Sequence, residues 1–197
     1  IRELSGTVEL KAAGAQAYTV ARPGDQVRQD TVISTGFKST ALVEVGSALI
    51  TVRPLTRLTL TEISASSGAE TLNVNLQAGR VRVDVNPPAG TRASMAVSSP
   101  IATASVRGTS FEFDTRNLHV NHGTVSFQGN RGVAMPVFAG ATSRVETDGK
   151  AADPIIVRTE VYQPPAPVGT DSSSKTAKER SSISGGVTTE MEYFTSQ

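Results

Sequence analysis

The sequence predicts an all-β protein, and three observations support this fold class. Turn signals that contain Gly, Pro or Asp recur about every ten residues, between stretches rich in Val, Leu and Thr. Within those stretches apolar and polar residues alternate, which places every second side chain on one face of a strand. Apolar residues nowhere repeat with the 3.6-residue period of an amphipathic helix. We therefore expect short strands joined by tight turns.

The first half of the chain divides into short extended stretches. Residues 4–10 alternate and predict one strand. The turn Pro23-Gly24-Asp25 follows because Pro presets φ and Gly accepts a positive φ. Residues 65–70 contain Ser-Ser-Gly and predict a flexible loop. Further extended stretches are predicted at 18–20, within 26–36, and at 39–45, 48–52, 58–61 and 71–76.

The second half contains the strongest β patterns. The clearest two-faced strand is 80–85, in which three inward-facing valines alternate with Arg80, Arg82 and Asp84 on the wet side. Residues 98–127 hold the longest β pattern, which includes both histidines of the chain. Further extended stretches are predicted at 93–97, 133–138, 142–145 and 154–161.

An irregular internal echo refines the fold class. A glycine followed by an alternating strand occurs at 6–10, at 79–83 and again at 123–127. Glycine at a corner lets the chain turn sharply, because it adopts positive φ without a steric penalty. This pattern favours an irregular β-solenoid-like wrap of short strands. A jelly roll or β-sandwich is the alternative, since the spacing of the echo is not constant.

The composition changes near residue 163. Residues 163–197 are polar, rich in Pro and Ser, and nearly free of large apolar side chains. Such a segment cannot bury enough apolar surface to offset the entropy lost on ordering. We therefore expect an all-β domain at 1–162, followed by a flexible tail at 163–197.

Composition also excludes several classes of function. The 19 basic and 18 acidic residues give a net charge of +1, whereas nucleic-acid-binding domains usually show a basic excess. No apolar run approaches the roughly 18 residues of a membrane-spanning helix. Cysteine is absent, so disulfides and thiolate sites are excluded. The chain begins at Ile1, from which we expect that a leader has been removed.

The two histidines do not predict a metal site. His119 and His122 are three residues apart in a predicted strand, and this offset sends side chains to opposite faces. A shared ligand would require the turn at Gly123 to swing His122 round. We expect neither a metal ion nor another cofactor.

Two carboxylates are candidates for chemistry but do not require it. Glu112 and Asp114 share one face of a predicted strand, whereas Phe111 and Phe113 share the other and are expected in the core. Paired carboxylates catalyse glycoside hydrolysis. They are also what the wet face of any strand presents, and we favour that interpretation. We assign no catalytic residue.

Arginine supplies a candidate partner surface. Arg80 and Arg82 share a strand face, so they could meet an acidic protein surface. Aromatic residues do not interleave with them, which makes a nucleic-acid platform a poor fit. The other arginines that could join a basic patch are Arg53, Arg57, Arg92 and Arg107.

Several short motifs follow one another in a fixed order along the chain. The most specific is Ser99-Pro100-Ile101-Ala102 followed by Val106-Arg107-Gly108-Thr109-Ser110-Phe111, and the earlier motifs lie at 6–8, 22–25, 33–36, 39–41, 46–47 with 52–56, and 76–83. This order resembles the FecR-like domain, a bacterial extracytoplasmic module. The residues that carry the signature are Pro23, Gly24, Asp25, Gly36, Gly79, Pro100, Arg107, Gly108, Thr109, Phe111 and Gly123. The resemblance spans about residues 5 to 145.

This resemblance implies an exported, non-enzymatic module in the periplasm or elsewhere outside the cytoplasm. It would bind an envelope protein partner or help to sense one. The cytoplasmic anti-sigma and transmembrane parts of name-giving members are not recognised in this sequence. Two alternatives remain open: a glycan- or cell-wall-binding module, and an enzyme acting on polysaccharide through Glu112 and Asp114.

Overall fold

The computed structural model describes residues 1–66 and 68–156. These residues form seventeen β-strands and no helix, which confirms the all-β prediction. No helix long and apolar enough to cross a membrane occurs in this part of the chain. The strands are β1 (Glu3–Ser5), β2 (Val8–Lys11), β3 (Thr19–Val20), β4 (Val32–Thr35), β5 (Thr40–Val45), β6 (Ala48–Val52), β7 (Arg57–Ser66), β8 (Ala69–Ala78), β9 (Val81–Val85), β10 (Arg92–Ser98), β11 (Ala102–Val106), β12 (Ser110–Asp114), β13 (Asn117–His122), β14 (Thr124–Gly129), β15 (Met135–Phe138), β16 (Ala141–Arg144) and β17 (Ile155–Ile156).

The strands belong to two sheets. Sheet I has eight strands in the order β1-β5-β6-β9-β12-β13-β16-β17, and sheet II has nine in the order β15-β14-β11-β10-β8-β7-β4-β2-β3. Strands β8 and β10 pair in parallel, and the other pairings in the described residues are antiparallel. Neither sheet closes on itself within these residues. The choice between a solenoid-like wrap and a sandwich stays a prediction.

The chain passes repeatedly from one sheet to the other, and glycine stands at many of these crossings. Glycine suits them because an abrupt change of direction needs a positive φ, which a Cβ atom opposes. The three echo glycines, Gly6, Gly79 and Gly123, are all crossings, with φ of 73°, 87° and 82°. The echo in the sequence therefore marks a corner followed by a strand in the next sheet.

Two predicted boundaries were wrong. Residues 4–10 form two strands, because the corner at Gly6 sends β1 to sheet I and β2 to sheet II. The predicted loop at 65–70 is the end of a long hairpin, in which β7 extends to Ser66 and β8 begins at Ala69. Small polar residues there are exposed, and cross-strand pairing such as Ala65 opposite Glu70 holds them extended.

A single core lies between the inward faces of the two sheets. The valines of β9 are buried, and their charged neighbours lie on the outer face, as predicted. Phe111 and Phe113 are completely buried, which confirms their predicted core position. Phe113 of sheet I meets Phe127 of sheet II edge to face, with ring centroids 6.0 Å apart. Aromatic packing therefore joins the sheets directly.

The described residues end in β17. The predicted strand at 154–161 is represented there by Ile155–Ile156 alone. The described residues belong to one compact unit. The predicted tail at 163–197 lies outside the described residues, so the boundary after residue 162 stays a prediction.

Candidate partner-binding surface

Both carboxylates singled out in the sequence lie with Arg53, Arg80 and Arg82 on the outer side of sheet I. Arg57 and Arg92 belong to sheet II instead, and Arg107 lies between β11 and β12. Glu112 forms ion pairs with Arg53 at 3.5 Å and with Arg82 at 4.0 Å. Asp114 forms an ion pair with Arg80 at 3.2 Å. Because Arg82 stands directly opposite Glu112 in the pairing of β9 with β12, charges of opposite sign face each other across the strands. The predicted basic surface is therefore largely neutralised by its own sheet.

The same network continues along the strands. Arg82 also pairs with Asp84 at 3.2 Å, and Asp84 in turn accepts a hydrogen bond from the Ser110 hydroxyl. The arginine side chains keep about half of their surface in water, so each pair contributes little to stability. We interpret these ion pairs as the ordinary polar face of a solvated sheet. They do not require Glu112 and Asp114 to act as a hydrolytic pair.

The two histidines were predicted on opposite faces of the strand, and this prediction was wrong. The pairing of β13 with β12 shifts by one residue at Asn121, so that His122 stands opposite Ser110 on the outer face. This bulge absorbs one residue of the three-residue offset and turns His122 to the same side as His119. The Nδ1 atom of His119 lies 3.0 Å from the Thr142 hydroxyl. Within the described residues, no cluster of three His, Asp or Glu side chains could hold a metal ion.

A small apolar cavity of about 110 Å³ lies between the sheets, near the turn of the β5–β6 hairpin. Glu70 of β8 reaches this turn and accepts a hydrogen bond of 2.9 Å from the Ser47 amide. Hydrogen bonds from Ser47 lower the pKa of Glu70, and burial opposes them in part. The cavity is below the roughly 300–1,000 Å³ of typical small-molecule sites, so we interpret it as a packing gap.

A different surface has the properties of a protein-binding site. Three successive crossings between the sheets lie side by side, because Leu55 donates its amide hydrogen to the Gly36 carbonyl at 3.2 Å and Arg53 donates to the Arg80 carbonyl at 3.0 Å. We call this row the corner ridge, and it consists of Gly36, Phe37, Pro54, Leu55, Gly79 and Arg80.

Buried hydroxyl groups hold the corner ridge in place. Thr35 donates to the Arg53 carbonyl at 2.6 Å, and the Thr56 hydroxyl contacts both the amide and the carbonyl of Arg80, at 3.0 and 3.1 Å. Both threonines are almost fully buried, and the Thr35 hydroxyl also accepts a 3.0 Å hydrogen bond from the Thr56 amide. The corners are therefore fixed by hydrogen bonds between groups of the protein itself.

The corner ridge exposes large apolar side chains on this rigid backbone. Phe37 is 73% exposed and Leu55 is 63% exposed. Leu55 has φ of +56° and Lys38 has φ of +53°, a conformation that costs a non-glycine residue about 1–2 kcal/mol. A strained, exposed leucine beside an exposed phenylalanine gives no stability from burial. Such strain persists where the surrounding structure imposes it, and it is common at functional sites.

The signature residues predicted from the sequence are spread over the molecule. Gly36 and Gly79 lie in the corner ridge, whereas Gly108, with φ of +80°, and Gly123 mark crossings further along the chain. Phe111 is in the core. The remainder lie at turns or strand ends: Pro23, Gly24, Asp25, Pro100, Arg107 and Thr109.

Sequence reasoning did not identify Phe37 or Leu55. Both lie in short turn segments, where an apolar residue has no strand alternation to mark its direction. The one sequence signal that could have identified them is that a large apolar residue stands inside a predicted turn. Of the two arginines predicted as a partner surface, Arg80 lies on the corner ridge and Arg82 lies on the outer face of sheet I.

The comparisons with known proteins bear on the family. Residues 31–128 match the model of the family described as FecR protein. This chain contains a FecR domain. The match begins at the start of β4 and ends in β14, so it includes every corner of the ridge and the motif around Gly108. The resemblance read from the sequence motifs is confirmed.

Solved structures support the fold of this FecR domain. Two crystal structures, at 2.50 and 1.65 Å resolution, of a proposed anti-sigma factor from Parabacteroides distasonis ATCC 8503 are similar to it, each with a TM-score of 0.50 and 16% sequence identity. The similarity covers 61% of this chain and 57% of that protein. At this identity the likeness concerns the fold. No curated protein sequence matches the chain.

Proposed function

We propose that this FecR domain is a sensing or signalling module that binds a protein partner outside the cytoplasm. The observation that carries this proposal is the match to the FecR family, whose members are regulatory rather than catalytic. FecR domains usually belong to the periplasmic part of their proteins, which supports a location in the periplasm. The structural neighbour is itself described as a proposed anti-sigma factor, which is a regulatory role of the same kind.

The corner ridge is the surface that we assign to the partner. Its exposed Phe37 and Arg80 are of residue types that are enriched at protein interfaces, and the exposed Leu55 lies on the neighbouring corner. Binding there would cost little entropy, because the hydroxyl groups of Thr35 and Thr56 already order the corners. The surface needs no reaction chemistry, and we propose no enzymatic activity.

In-cell photo-crosslinking tests this function in the full chain. A photo-reactive amino acid is placed at position 55 and, as a matched control, at Val133, an apolar residue that is 80% exposed away from the ridge. We expect one envelope protein to be captured from position 55 and not from position 133. Deleting the gene for the captured protein should change the same transcripts as deleting the gene for this chain.

Two results would contradict the proposal. Position 55 could capture nothing beyond what position 133 captures, or only cytoplasmic proteins, which would remove the envelope partner. Alternatively, the two deletions could change unrelated transcripts, which would separate the captured protein from any signalling role of this chain.

A further inference from the structure

The corner ridge has an apolar end that is built from neighbouring residues. Single exposed apolar side chains are common on protein surfaces and need no explanation. Phe37 and Leu55 are different, because the hydrogen bond from the Leu55 amide to the Gly36 carbonyl places them on adjacent corners. Pro54 is exposed beside Leu55. Because their backbones are neighbours and their side chains are exposed, we infer that they can together receive one apolar group of a partner.

The corner ridge also borders a groove that is rich in charged side chains. Arg53, Arg80 and Arg116 line a groove beside Leu55, together with the carboxylates Glu112 and Asp114. Lys38 adds a further cation at the apolar end, with its Nζ atom 5.5 Å from the Phe37 ring centroid. Glu112 and Asp114 each pair with one of these arginines, Arg53 and Arg80, so the net positive charge around the ridge comes from Arg116 and Lys38.

The arginines keep donors free for a ligand. A guanidinium group has five N–H donors in a planar fork, which matches a carboxylate. Arg80 uses one terminal nitrogen in its 3.2 Å bond to Asp114, and Arg53 uses one in its 3.5 Å bond to Glu112. Their side chains are 56% and 42% exposed, so a carboxylate from a partner can reach the remaining donors.

We propose that the corner ridge binds an acidic segment of its partner, with one apolar side chain seated on Phe37 and Leu55 and neighbouring carboxylates on Arg53 and Arg80. This inference rests on the proposed function, since it specifies the chemistry of the partner at the same surface. Charge complementarity favours an acidic segment over a basic one. The apolar seat supplies the anchor, and the arginines fix the register of the segment.

Selection of peptides tests this chemistry without knowledge of the partner. A library of random displayed peptides is selected against the full chain, and the enriched peptides are measured by calorimetry. We expect them to share Asp or Glu on both sides of one Leu, Phe or Trp. Their affinity should fall as NaCl rises, because salt screens the pairs with the arginines.

Variants of the chain then locate the binding site. Leu55→Gly removes the apolar seat and relieves the positive φ, so the chain should fold at least as stably while affinity falls about tenfold or more. Arg80→Gln should weaken binding and reduce its salt dependence. Val133→Ser removes an exposed apolar residue elsewhere and should leave affinity unchanged.

The inference is overturned if selection enriches no peptide, if the enriched peptides lack acidic residues, or if Leu55→Gly binds them as tightly as the original chain. Its failure differs from failure of the proposed function. An envelope protein captured from position 55 through a segment without acidic residues would remove the inference and leave the function standing.

Discussion

Two buried threonines show how strongly the value of a hydroxyl group depends on its partners. The Thr56 hydroxyl lies within 3.1 Å of both backbone groups of Arg80, and it ties one corner of the ridge to the next. The Thr109 hydroxyl is also buried but has no hydrogen-bond partner among the described residues. A satisfied buried hydroxyl stabilises the fold, whereas an unsatisfied one keeps its desolvation penalty.

Replacing each threonine by valine, which has nearly the same shape, should therefore have opposite consequences. Thr56→Val leaves the Arg80 amide without its partner, and we expect it to lower the free energy of unfolding by about 1–3 kcal/mol. Thr109→Val removes an unpaired hydroxyl and should leave that free energy unchanged or higher. Urea unfolding of both variants measures the difference, and equal losses would contradict this account.

Corner glycines offer a second test at the residue scale. Gly79 and Gly140 both have positive φ, 87° and 79°. A Cβ atom on Gly79 would lie 2.5 Å from the Thr56 Cα atom and 2.7 Å from the Leu55 carbonyl oxygen, whereas at Gly140 it would meet no heavy atom of the described residues within 4 Å. The pair separates backbone strain from close packing.

We expect Gly140→Ala to cost about 1 kcal/mol from the strain of a positive φ alone. Gly79→Ala should cost about 1–3 kcal/mol more, because the backbone of the neighbouring corner would have to move. Thermal and urea unfolding measure both losses. Equal stability of the two variants would contradict the close packing of Gly79 against the neighbouring corner.

At the scale of elements, one side chain fastens a strand of sheet II to a hairpin of sheet I. The Glu70 carboxylate of β8 accepts a hydrogen bond from the Ser47 amide in the turn between β5 and β6. That turn is also held from the other side, because Asn86 donates its amide hydrogen to the Ser47 carbonyl at 3.0 Å. The ionised carboxylate accepts this bond more strongly than the neutral acid does, so the contribution of the bond depends on pH.

The sign of this dependence follows from the lowered pKa of Glu70. Since the folded-state pKa is below the ordinary value of 4.5, the carboxylate stabilises the fold above that pH, and the stabilisation is lost as pH falls through the lowered value. We expect Glu70→Gln to lower the Tm at neutral pH, and the difference from the original chain to vanish in acid. A Tm difference that does not change with pH would contradict this role.

At the scale of the whole molecule, the two sheets depend on each other. The buried side chains of both sheets form one core, and the contact of Phe113 with Phe127 lies across the gap between them. Neither sheet has another apolar layer to cover its inward face in the described residues. We therefore expect the domain to unfold as one cooperative unit.

A double-mutant cycle on this aromatic pair tests the connection. Phe113→Leu and Phe127→Leu should each destabilise the domain, and their combined cost should be smaller than the sum by about 0.5–1.5 kcal/mol, the worth of an edge-to-face pair. Phe111→Leu combined with Phe127→Leu serves as a control, because Phe111 is equally buried in the same strand. If the losses of unfolding free energy for Phe113→Leu and Phe127→Leu simply added in the double variant, the two rings would not interact.

Much of the element pattern could be predicted from local sequence. Alternation in β9 and β12 predicted which side chains are buried, since successive side chains of a strand point to opposite faces. The FecR motifs predicted the family. The hairpin that joins β7 to β8 was missed, because small polar residues carry no alternation and are held extended only by the opposite strand.

The sequence by itself determined the all-β class, the positions of the core phenylalanines and glycine corners such as Gly79 and Gly123, because glycine and alternation act over a few residues. Only the tertiary structure decided that Gly36, Leu55 and Gly79 lie on neighbouring corners, since they come together through hydrogen bonds between distant segments. It also decided that Arg82 stands opposite Glu112 across two strands, whereas Leu55 is left exposed. Those outcomes depend on strand order and register, which local sequence does not specify.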